Sequence, residues 1–399
     1  MTAIDELSRP ATDADVVGGV PARRVAAPAS TDQAAALIAE SAGQAVVVRG
    51  GGTKIEWGTP PDRLDLIIDT HRLTGVVEHA AGDLIAVVRA GTPLHELTLG
   101  DQQLALDAPL PGATVGGTVA ANLAGPRRML YGTARDLLIG ITVVRPDAVV
   151  ARSGGKVVKN VAGYDLGKLF TGSYGTLGLI TECVFRLHPR APAAATVTCR
   201  AGDPDRAGRL LAAVRSAQVA PSALEVDAEP GQEITIAALV EGTPDGVRAR
   251  AATLSGLLGG EPGKPGVAGG TGGTPPWWGV LPWPDGGVGL KIGVPLSAVP
   301  DVLRAAADAG VRIRGSAGTG VLFGGLPGEP ARAAADAVAA LRTAATLASG
   351  HLVVLTAPPP VRDLADMWGP VPGLALMRRV KDRFDPDRRF APGRFVGGI

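Results

Sequence analysis

The sequence predicts an α+β fold of more than one domain, because strands and helices occur in two regions that are ordered differently. Its 399 residues are enough for two to three domains with sizeable cores. Up to about residue 190, short apolar runs alternate with helical segments and glycine-rich loops. A proline-containing break follows at 188–192. We therefore predict a first domain over 15–192, a second over 193–360, and a helix and tail over 361–399 that pack back on the first.

The first domain is predicted to contain short strands separated by turns and a few helices. The predicted strands are Ala45–Val48, Leu66–Asp69 and Leu84–Ala90, followed by a hairpin of Leu138–Val144 with Val149–Ala151. Helices are predicted from Pro93 to Gln102 and from Leu166 to Thr171. The polar residues up to about Arg24 are expected to form a loosely ordered lead-in.

The second domain has the order β-α-β-β-α and then β-α-β-α-β, which predicts an antiparallel sheet covered by helices on one face. The predicted helices are Asp203–Gln218, Asp245–Leu258, Ala298–Ala309 and Glu329–Ser349. The predicted strands are Leu224–Ala228, Ile234–Val240, Gly287–Val294, Gly320–Gly325 and Leu352–Leu355. A stretch rich in glycine and proline, Gly259 to Pro276, is expected to be a mobile loop. From Val361 the chain continues into a helix that ends near Arg383.

A glycine-rich loop follows the first buried strand and reads Arg49-Gly50-Gly51-Gly52-Thr53-Lys54. Consecutive glycines can take positive φ and bring backbone N–H groups close to a ligand. Such N–H groups form an anion-binding concavity, and Arg49 and Lys54 add positive charge beside it. The loop fits neither the G-x-G-x-x-G nor the G-x-x-x-x-G-K-[ST] fingerprint, which disfavours a Rossmann or P-loop site. An ordinary tight turn is the alternative for this loop taken alone.

Two further glycine-rich segments occur in the same domain. The second loop reads Pro111-Gly112-Ala113-Thr114-Val115-Gly116-Gly117, and small residues follow it up to Ala124. The Thr114 hydroxyl could donate to a phosphate or to a ring edge, whereas Gly117 alone could equally serve close helix–strand packing. The third segment runs from Gly172 to Glu182 and contains Gly175 and Gly178. Three such segments in one domain favour a backbone shaped to hold a long, phosphate-bearing ligand.

Five segments together carry a resemblance to a known family. They are R-G-G-G-T-K, P-G-A-T-V-G-G, Y-G-T-A-R-D at Tyr131 to Asp136, G-K-V-V-K-N-V-A-G-Y-D-L from Gly155, and G-T-L-G-L-I-T-E from Gly175. This set resembles the PCMH-type FAD-binding domain of the vanillyl-alcohol oxidase superfamily, and within it the FAD-binding E subunits of bacterial glycolate oxidases. The resemblance covers about residues 15–190, and more thinly the tail from Phe384 to Arg394.

The resemblance implies a two-subdomain FAD-binding domain, a smaller antiparallel-sheet cap domain and a C-terminal tail. It implies that FAD stretches through the first domain, with its pyrophosphate on the first two glycine loops and its adenosine half against Ile180. The residues predicted to bind it are Arg49, Gly50, Gly51, Gly52, Thr53, Lys54, Pro111, Gly112, Ala113, Thr114, Gly116, Gly117, Asn122, Asp136, Lys159, Tyr164, Gly175, Gly178 and Ile180. In some family members FAD is attached covalently to a histidine near the first loop. Here Thr53 and Lys54 follow Gly52, so we expect non-covalent FAD.

The segment from Lys159 to Leu166 passes near the flavin in the resembled family. A lysine beside the N1–C2=O edge would stabilise the negative charge that develops there when the flavin takes up hydride. Lys159 and Tyr164 are the residues of this segment predicted to contact the cofactor. A solvated loop lysine and a core aromatic residue that caps the following helix are the alternatives.

The histidines and the second domain give no catalytic group. The five histidines, at 71, 79, 95, 188 and 351, form no i, i+4 pair and no H-x-H cluster, so no metal site is predicted. Catalytic 2-hydroxy-acid dehydrogenases of this superfamily carry an H-G-D-G-N-x-H type metal motif. Here the corresponding stretch reads Gly315-Ser316-Ala317-Gly318-Thr319-Gly320. The departure puts independent substrate oxidation in doubt, and the catalytic residues stay unassigned.

Composition excludes several classes of partner. The net charge of +1 gives no electrostatic footprint for nucleic acid or for an anionic membrane. The acidic N-terminal residues are not a secretory signal, and no apolar run reaches the ~18 residues of a membrane span. Cys183 and Cys199 suit a reducing compartment without a disulfide, so a cytoplasmic protein is expected. The prolines and tryptophans of 275–284 fit ordinary packing, an aromatic wall over the flavin or a partner-facing patch.

Two functional hypotheses follow from the resemblance. In the first, the chain is the FAD-binding subunit of a complex that oxidises a small 2-hydroxy acid, with a homologous catalytic flavoprotein subunit and an iron–sulfur subunit as partners. In the second, it is a self-sufficient FAD oxidoreductase for an alcohol or a 2-hydroxy acid. A peptidoglycan-precursor reductase is a third candidate, and it would need a nicotinamide-dependent half-reaction. The sequence names neither the substrate nor the electron acceptor.

Overall fold

The computed structural model describes residues 3–156, 163–259, 261–262 and 273–399. The chain divides into two compact units. Unit 1 comprises Met1–Ala124, Thr133–Pro189 and Val371–Ile399, and unit 2 comprises Gly125–Gly132 and Arg190–Pro370. Unit 1 therefore contains all three glycine-rich segments and the C-terminal helix.

The strands and helices are numbered in chain order. The strands are β1 (Ser8–Pro10), β2 (Val16–Val17), β3 (Val20–Pro21), β4 (Arg24–Ala26), β5 (Val46–Arg49), β6 (Leu66–Asp69), β7 (Val76–Ala80), β8 (Ile85–Arg89), β9 (Gln102–Gln103), β10 (Leu138–Val144), β11 (Val150–Gly154), β12 (Leu179–Arg186), β13 (His188–Pro189), β14 (Ala193–Ala201), β15 (Ala223–Ala228), β16 (Ile234–Gly242), β17 (Glu261–Pro262), β18 (Val288–Gly293), β19 (Arg312–Ser316), β20 (Val321–Leu326) and β21 (His351–Thr356). The α-helices are α1 (Ala3–Leu7), α2 (Thr31–Glu40), α3 (Val115–Ala121), α4 (Arg128–Tyr131), α5 (Ala134–Leu137), α6 (Leu166–Phe170), α7 (Pro204–Ser216), α8 (Pro244–Leu258), α9 (Val299–Asp308), α10 (Ala331–Leu347), α11 (Pro359–Arg362) and α12 (Leu374–Phe384).

Unit 1 contains two main sheets, as expected for a two-subdomain fold. The first has the order β1-β4-β6-β5, in which β4, β6 and β5 are parallel. The second has the order β11-β10-β12-β8-β7 and is antiparallel. Apolar residues of β5 and β6 pack on Leu37 and Ile38 of α2, where Ser30 caps the helix by accepting from Gln33 N at 3.1 Å. This packing fixes the end of β5, from which the first glycine loop leaves.

Unit 2 is built on one eight-stranded antiparallel sheet with the order β17-β14-β16-β15-β19-β20-β18-β21. Alternate residues such as Leu290 and Ile292 of β18 belong to the buried core, which also contains the apolar sides of α7 to α10. Because side chains alternate along a strand, the residues between them, such as Lys291, lie on the opposite face. The predicted antiparallel sheet with core helices on one face is confirmed for α7 to α10, and the short helix α4 lies at the opposite face, where its Arg128 stands over Phe323.

The C-terminal segment of unit 1 is anchored by buried charges. Lys381 Nζ donates to the carbonyls of Thr176 and Phe390, both at 2.8 Å, and pairs with Asp385 at 2.7 Å. Lys381 and Asp385 have no solvent exposure. The Arg389 guanidinium donates to four acceptors in Ile38, Ser41 and Pro146 between 2.6 and 3.0 Å. Polar groups withdrawn from water require such partners, so the tail has one well-defined position in unit 1.

Three sequence predictions need correction. The lead-in is ordered: β1 pairs with β4, and Asp15 is buried against Arg49 at 3.0 Å. The helix predicted from Pro93 to Gln102 is wrong, because only a 3-10 turn forms at Leu94–Glu96. The backbone there pairs instead with the second glycine loop, where Leu94 N donates to Ala113 O at 2.9 Å.

The third correction concerns β19, a strand that was not predicted. Its Arg312 and Arg314 face the side of the sheet opposite α7 to α10, so its sequence lacks the apolar run of a buried strand. Most of the loop predicted at Gly259 to Pro276 lies outside the described residues.

Candidate functional site

Two adjoining cavities in unit 1 form one channel, which we call the glycine channel. The cavities share Val48, Gly50, Gly117, Ala120 and Tyr174. The first is also lined by Val47, Gly51, Gly52, Thr53, Lys54, Ile55, Trp57, Thr114, Ala121 and Arg394, and the second by Thr70, Ala90, Gly116, Gly175, Gly178 and Ile180. The channel therefore joins all three glycine-rich segments, although 57 positions separate the end of the first loop, at Lys54, from the start of the second, at Pro111.

The first two glycines of the loop are needed for contact between loops. A Cβ on Gly51 would overlap the carbonyl oxygen of Gly112, and a Cβ on Gly50 would overlap the Thr114 hydroxyl. Positive φ occurs only at Gly52 among the three, at 71°, with open space where its Cβ would stand. The sequence allows positive φ at each of the three glycines, and the structure uses it at Gly52 alone. Gly50 and Gly51 let the two loops touch, and Gly52 turns the backbone toward Lys54.

The second loop leads directly into α3. Thr114 is the residue before the helix, and its Oγ1 accepts from Gly117 N at 3.3 Å. A Cβ on Gly116 would press on Ala90 at 2.8 Å, so this glycine allows the helix to pack against the end of β8. Gly117 and Ala120 then face the channel with little or no side chain. A ligand in the channel can therefore approach the backbone of α3 closely.

Two basic side chains line the channel. Burial lowers the pKa of Lys54 to about 8, and its Nζ donates to Thr53 Oγ1 at 3.1 Å. Burial also lowers the pKa of Arg394 to about 10, against the opposing influence of Glu56 and Tyr174. Burial raises the pKa of the Tyr174 hydroxyl, which therefore stays neutral. At neutral pH the channel thus holds two cations drawn out of water, an environment that favours a bound anion.

The structure brings together twelve of the predicted site residues. Those that line the channel are Gly50, Gly51, Gly52, Thr53, Lys54, Thr114, Gly116, Gly117, Gly175, Gly178 and Ile180. The twelfth, Gly112, is not in the lining but lies directly against Gly51. Pro111 and Ala113 belong to the second loop but are absent from the lining. Lys159 lies outside the described residues.

Four other predicted residues do not line the glycine channel. The Arg49 guanidinium is held by Asp15 at 3.0 Å and by Asp69 at 2.8 Å. Asn122 ends α3 in the left-handed conformation, and Asp136 caps α5 by accepting from Thr133 N at 2.8 Å. The Tyr164 ring is 92% exposed. These four residues were predicted because they stand in or next to the family motifs. In the structure, however, each side chain has a local structural partner or faces solvent.

Sequence reasoning missed Tyr174, Trp57 and Arg394. Tyr174 lies inside the third glycine segment, and its ring stacks on Phe395 with centroids 5.1 Å apart. Arg394 belongs to the tail, where the family resemblance was thin. The Pro-Gly-Arg sequence at 392–394 was the available signal, but nothing local says that it reaches a loop 339 residues earlier.

Unit 2 presents a second group of charged residues, which we call the cationic cluster: Arg128, Lys291 and His351. The Arg128 guanidinium lies over the Phe323 ring, 5.9 Å from its centroid, and Phe323 is the β20 neighbour of Lys291. Burial and Arg128 lower the pKa of Lys291 to about 8. Burial and Lys291 lower the pKa of His351. Glu225, which is buried, partly offsets the charge of Arg128.

Two residues away from Lys291 in either direction along β18, on the same face of the sheet, stand glycines, and an aromatic ring covers each of them. A Cβ on Gly289 would meet the Trp283 indole at 2.6 Å, and one on Gly293 would overlap the His351 imidazole. Lys291 therefore stands between an indole and an imidazole on the face opposite α7 to α10. Arg312 and Arg314 are both held by Asp227, at 2.8 and 3.0 Å, and Arg314 lies over the Trp277 ring. These two arginines are neutralised within the sheet, and Trp277 and Trp283 have packing partners in it.

Among the described residues, no three His, Cys, Asp or Glu side chains come together as metal ligands. Cys183 and Cys199 are free thiols. Within the same part of the chain, no helix is both long and apolar enough to cross a membrane.

Comparison with known proteins bears on the glycine channel directly. Residues 22–154 match the family described as an FAD binding domain. The matched segment contains the first two glycine loops, so FAD is the cofactor of this domain. The channel suits the pyrophosphate of a dinucleotide, because two bare-backbone loops, α3 and two buried cations line it. Residues 22–154 also contain β4 to β11, which include seven of the nine strands in the two main sheets of unit 1.

Curated relatives match part of the chain. Glycolate oxidase subunit GlcE of Escherichia coli K12 is 40% identical over 151 residues, 36% of this chain and 43% of that protein. Glycolate oxidase subunit GlcD of Bacillus subtilis 168 is 32% identical over 213 residues, 52% of this chain and 45% of that protein. D-lactate dehydrogenase of Archaeoglobus fulgidus is 34% identical over 172 residues, 42% and 39% of the two chains. The matches span less than half the length of these relatives.

Solved structures resemble nearly the whole chain in fold. An alkyldihydroxyacetonephosphate synthase superposes with a TM-score of 0.68 at 16% identity, over 94% of this chain and 77% of that one. A BBE-like protein of Physcomitrella patens gives a TM-score of 0.67 at 13% identity, over 97% and 96% of the two chains. A chitooligosaccharide oxidase gives 0.65 at 16% identity, over 97% and 93%. The predicted fold class is thereby confirmed.

Proposed function

We propose that the chain is an FAD-binding oxidoreductase with a PCMH-type domain and, on that premise, the FAD-binding subunit of a 2-hydroxy-acid oxidase complex. Glycolate is the proposed substrate of the complex. The proposed partners are a homologous catalytic flavoprotein subunit and an iron–sulfur subunit, between which the flavin of this chain passes electrons. The similarity of the chain to two glycolate oxidase subunits, GlcD and GlcE, supports this proposal.

The observation that carries the proposal is the glycine channel. When bound, FAD supplies an acceptor for hydride or electrons. The chain's own residues hold it: the backbone of Gly50–Lys54 and of α3 approaches the ligand, and Lys54 and Arg394 offset the charge of its pyrophosphate. The other predicted contacts, including those of Lys159 and Tyr164, remain part of the proposal.

The sequence at 315–320 supports a subunit that needs a catalytic partner. A 2-hydroxy-acid dehydrogenase needs a group that orients the substrate carboxylate and a base that takes the hydroxyl proton. Gly315 to Gly320 reads G-S-A-G-T-G and forms the end of β19 and the turn to β20. A Cβ on Gly315 would meet the backbone of Val321 at 2.8 Å, and Ala317 is buried. These six residues serve the turn of the sheet, and none carries a metal ligand or a base of the expected type.

Anaerobic titration of the isolated, FAD-loaded chain with glycolate or D-lactate tests the proposal. We expect the absorbance of oxidised flavin to persist for the isolated chain. Glycolate should bleach it only after coexpression with a second flavoprotein and an iron–sulfur subunit. Rapid bleaching of the isolated chain by glycolate would overturn the proposal.

The flavin is proposed to be held without a covalent bond. Thr53 and Lys54 follow Gly52, and the nearest histidine, His71, is exposed and paired with Asp69 at 2.8 Å. Acid precipitation should release all yellow colour to the supernatant. Flavin fluorescence that stays with the denatured protein band would show a covalent link.

The cationic cluster favours a second candidate, a self-sufficient oxidoreductase for a 2-hydroxy acid. Arg128 and Lys291 are cations on one face of a sheet, an arrangement that suits a substrate carboxylate. The anaerobic titration separates the candidates, and Lys291→Met sharpens it. If the wild type is reduced and Lys291→Met needs at least tenfold more glycolate, the second candidate stands. Arg209→Met, at an exposed position of α7 in the same unit, is the charge-matched control.

A further inference from the structure

The last residues of the tail reach the first glycine loop through backbone contacts. Asp62 N donates to Pro392 O at 2.8 Å, Thr59 N donates to Arg394 O at 3.2 Å, and Thr59 Oγ1 donates to Gly393 O at 2.6 Å. Gly393 has φ of 81°, and a Cβ there would overlap the Asp62 carboxylate. The tail therefore lies directly against the segment that follows the loop, where a larger residue than glycine does not fit.

Arg394 uses one end of its guanidinium to hold the backbone after the loop. Its Nη2 donates to the carbonyl oxygens of Ile55 and Trp57, at 2.7 and 2.6 Å. These carbonyls directly follow Lys54 in the chain. A single side chain thus fixes the exit of the loop and limits how far Lys54 can move away from the channel.

The guanidinium of Arg394 is buried, and its Nε has no hydrogen-bond acceptor in the part of the chain that the structure describes. Arg394 is 4% exposed and lines the glycine channel. A buried charged donor without an acceptor costs free energy. Arginine donors pair favourably with phosphate oxygens, often two at a time. A phosphate in the channel would supply the acceptor that the chain itself does not.

We propose that Arg394 is an FAD-binding residue, in which the guanidinium donates to an oxygen of the cofactor's pyrophosphate while Nη2 holds the loop backbone. The tail then closes the channel on its ligand. This inference rests on the binding of FAD by the channel, which is part of the proposed function. Arg394 and Lys54 would share the neutralisation of the two phosphates, one from each end of the chain.

The test compares ligands with and without phosphates. The dissociation constants of FAD and of riboflavin are measured by flavin fluorescence quenching on FAD-free wild type, Arg394→Gln and Arg394→Met. Glutamine keeps amide donors for the carbonyls of Ile55 and Trp57 but has no charge. We expect about 10- to 100-fold weaker FAD binding in Arg394→Gln, with riboflavin binding within twofold of wild type. Arg394→Met should weaken FAD binding at least as much.

The control is Arg388→Met, an exposed arginine of the same tail that pairs with Asp382 at 2.9 Å. It removes the same charge six residues earlier and should bind FAD within twofold of wild type. FAD binding within twofold of wild type in Arg394→Gln would overturn the inference, as would equal weakening of FAD and riboflavin, which indicates a purely structural role. Arg394→Gln serves if Arg394→Met does not fold. A wild type that binds no FAD would instead overturn the proposed function.

Discussion

The glycine loops approach the channel with bare backbone, whereas the C-terminal tail reaches it with charged side chains that are withdrawn from water. Contact between the loops depends on the absence of a Cβ at Gly50 and Gly51. The tail depends on Lys381, Asp385 and Arg389, each of which has its hydrogen bonds inside the protein. The first region should therefore be sensitive to the size of a substituted residue, and the second to its charge.

The largest effect is expected from the tail. Asp385→Ala leaves the Lys381 ammonium buried without its carboxylate, which should lower the free energy of unfolding by about 3–5 kcal/mol. Urea denaturation of the FAD-free protein measures this. Asp382→Ala, at an exposed position of α12, should cost less than about 0.5 kcal/mol. The double variant Lys381→Met/Asp385→Leu should recover only part of the loss, because it removes the unpaired charge but leaves the backbone groups of Thr176, Arg389 and Phe390 without their side-chain partners. A loss below about 1 kcal/mol in Asp385→Ala would contradict the view that charge dominates this region.

The next effect separates packing from backbone conformation in the first loop. Gly51→Ala forces the loop away from Gly112, so FAD affinity should fall about 100-fold, or ~2.7 kcal/mol. Gly52→Ala has room for its methyl group and pays only for positive φ, roughly 1 kcal/mol, which is less than tenfold in affinity. Equilibrium titration with FAD gives both numbers. Equal losses in the two variants would mean that contact between the loops is not what the glycines provide. Gly51→Asp, which adds repulsion toward the phosphates, should purify with little FAD.

The smallest effect concerns the proton on Lys54. Its pKa in the FAD-free channel is lowered to about 8, and a bound pyrophosphate would raise it. Above pH 8 Lys54 of the FAD-free channel is mostly neutral, so FAD binding must take up a proton there. The affinity for FAD is therefore highest below pH 8 and falls above it. Between pH 7 and 9 the loss should be about tenfold. Arg394, with a pKa of about 10, stays charged over this range, as does an arginine at position 54. Lys54→Arg should therefore flatten the profile, and a wild-type profile flat from pH 7 to 9 would contradict the assignment.

Much of the fold could be predicted because its signals are local. The strand Leu66–Asp69 and the helix over Pro244–Leu258 have apolar periodicities that tertiary contacts do not override. The failures occur where distant residues decide the conformation. Residues 93–102 have helical spacing, but their backbone groups pair with a loop twenty residues further along the chain. In β19 the arginines look like solvent-facing residues until Asp227 of the neighbouring strand is known.

The site divides in the same way. The glycines of the channel could be predicted from the sequence, because they stand in glycine-rich segments at defined places relative to the strands. Most of the predicted glycines do line the channel. Charged residues of the motifs could not be assigned from sequence, because a guanidinium or carboxylate has several partners within reach. Arg49 pairs with Asp15, from a lead-in that the sequence indicated to be loose, and does not line the channel. Arg394, 345 residues further along the chain, does line it.

The contact between Arg394 and Ile55 also has a consequence for biosynthesis. The two residues are separated by 339 positions, which a ribosome translating at about 5–20 residues per second covers in roughly 17 to 68 s. During that interval the nascent first domain has its glycine loops but neither the clasp of Arg394 nor the Lys381–Asp385 anchor. On the proposed role of Arg394, stable loading with flavin waits until this residue has been translated. A chain interrupted between positions 384 and 394 should therefore lose its yellow colour on purification, whereas one that extends through Arg394 should keep it.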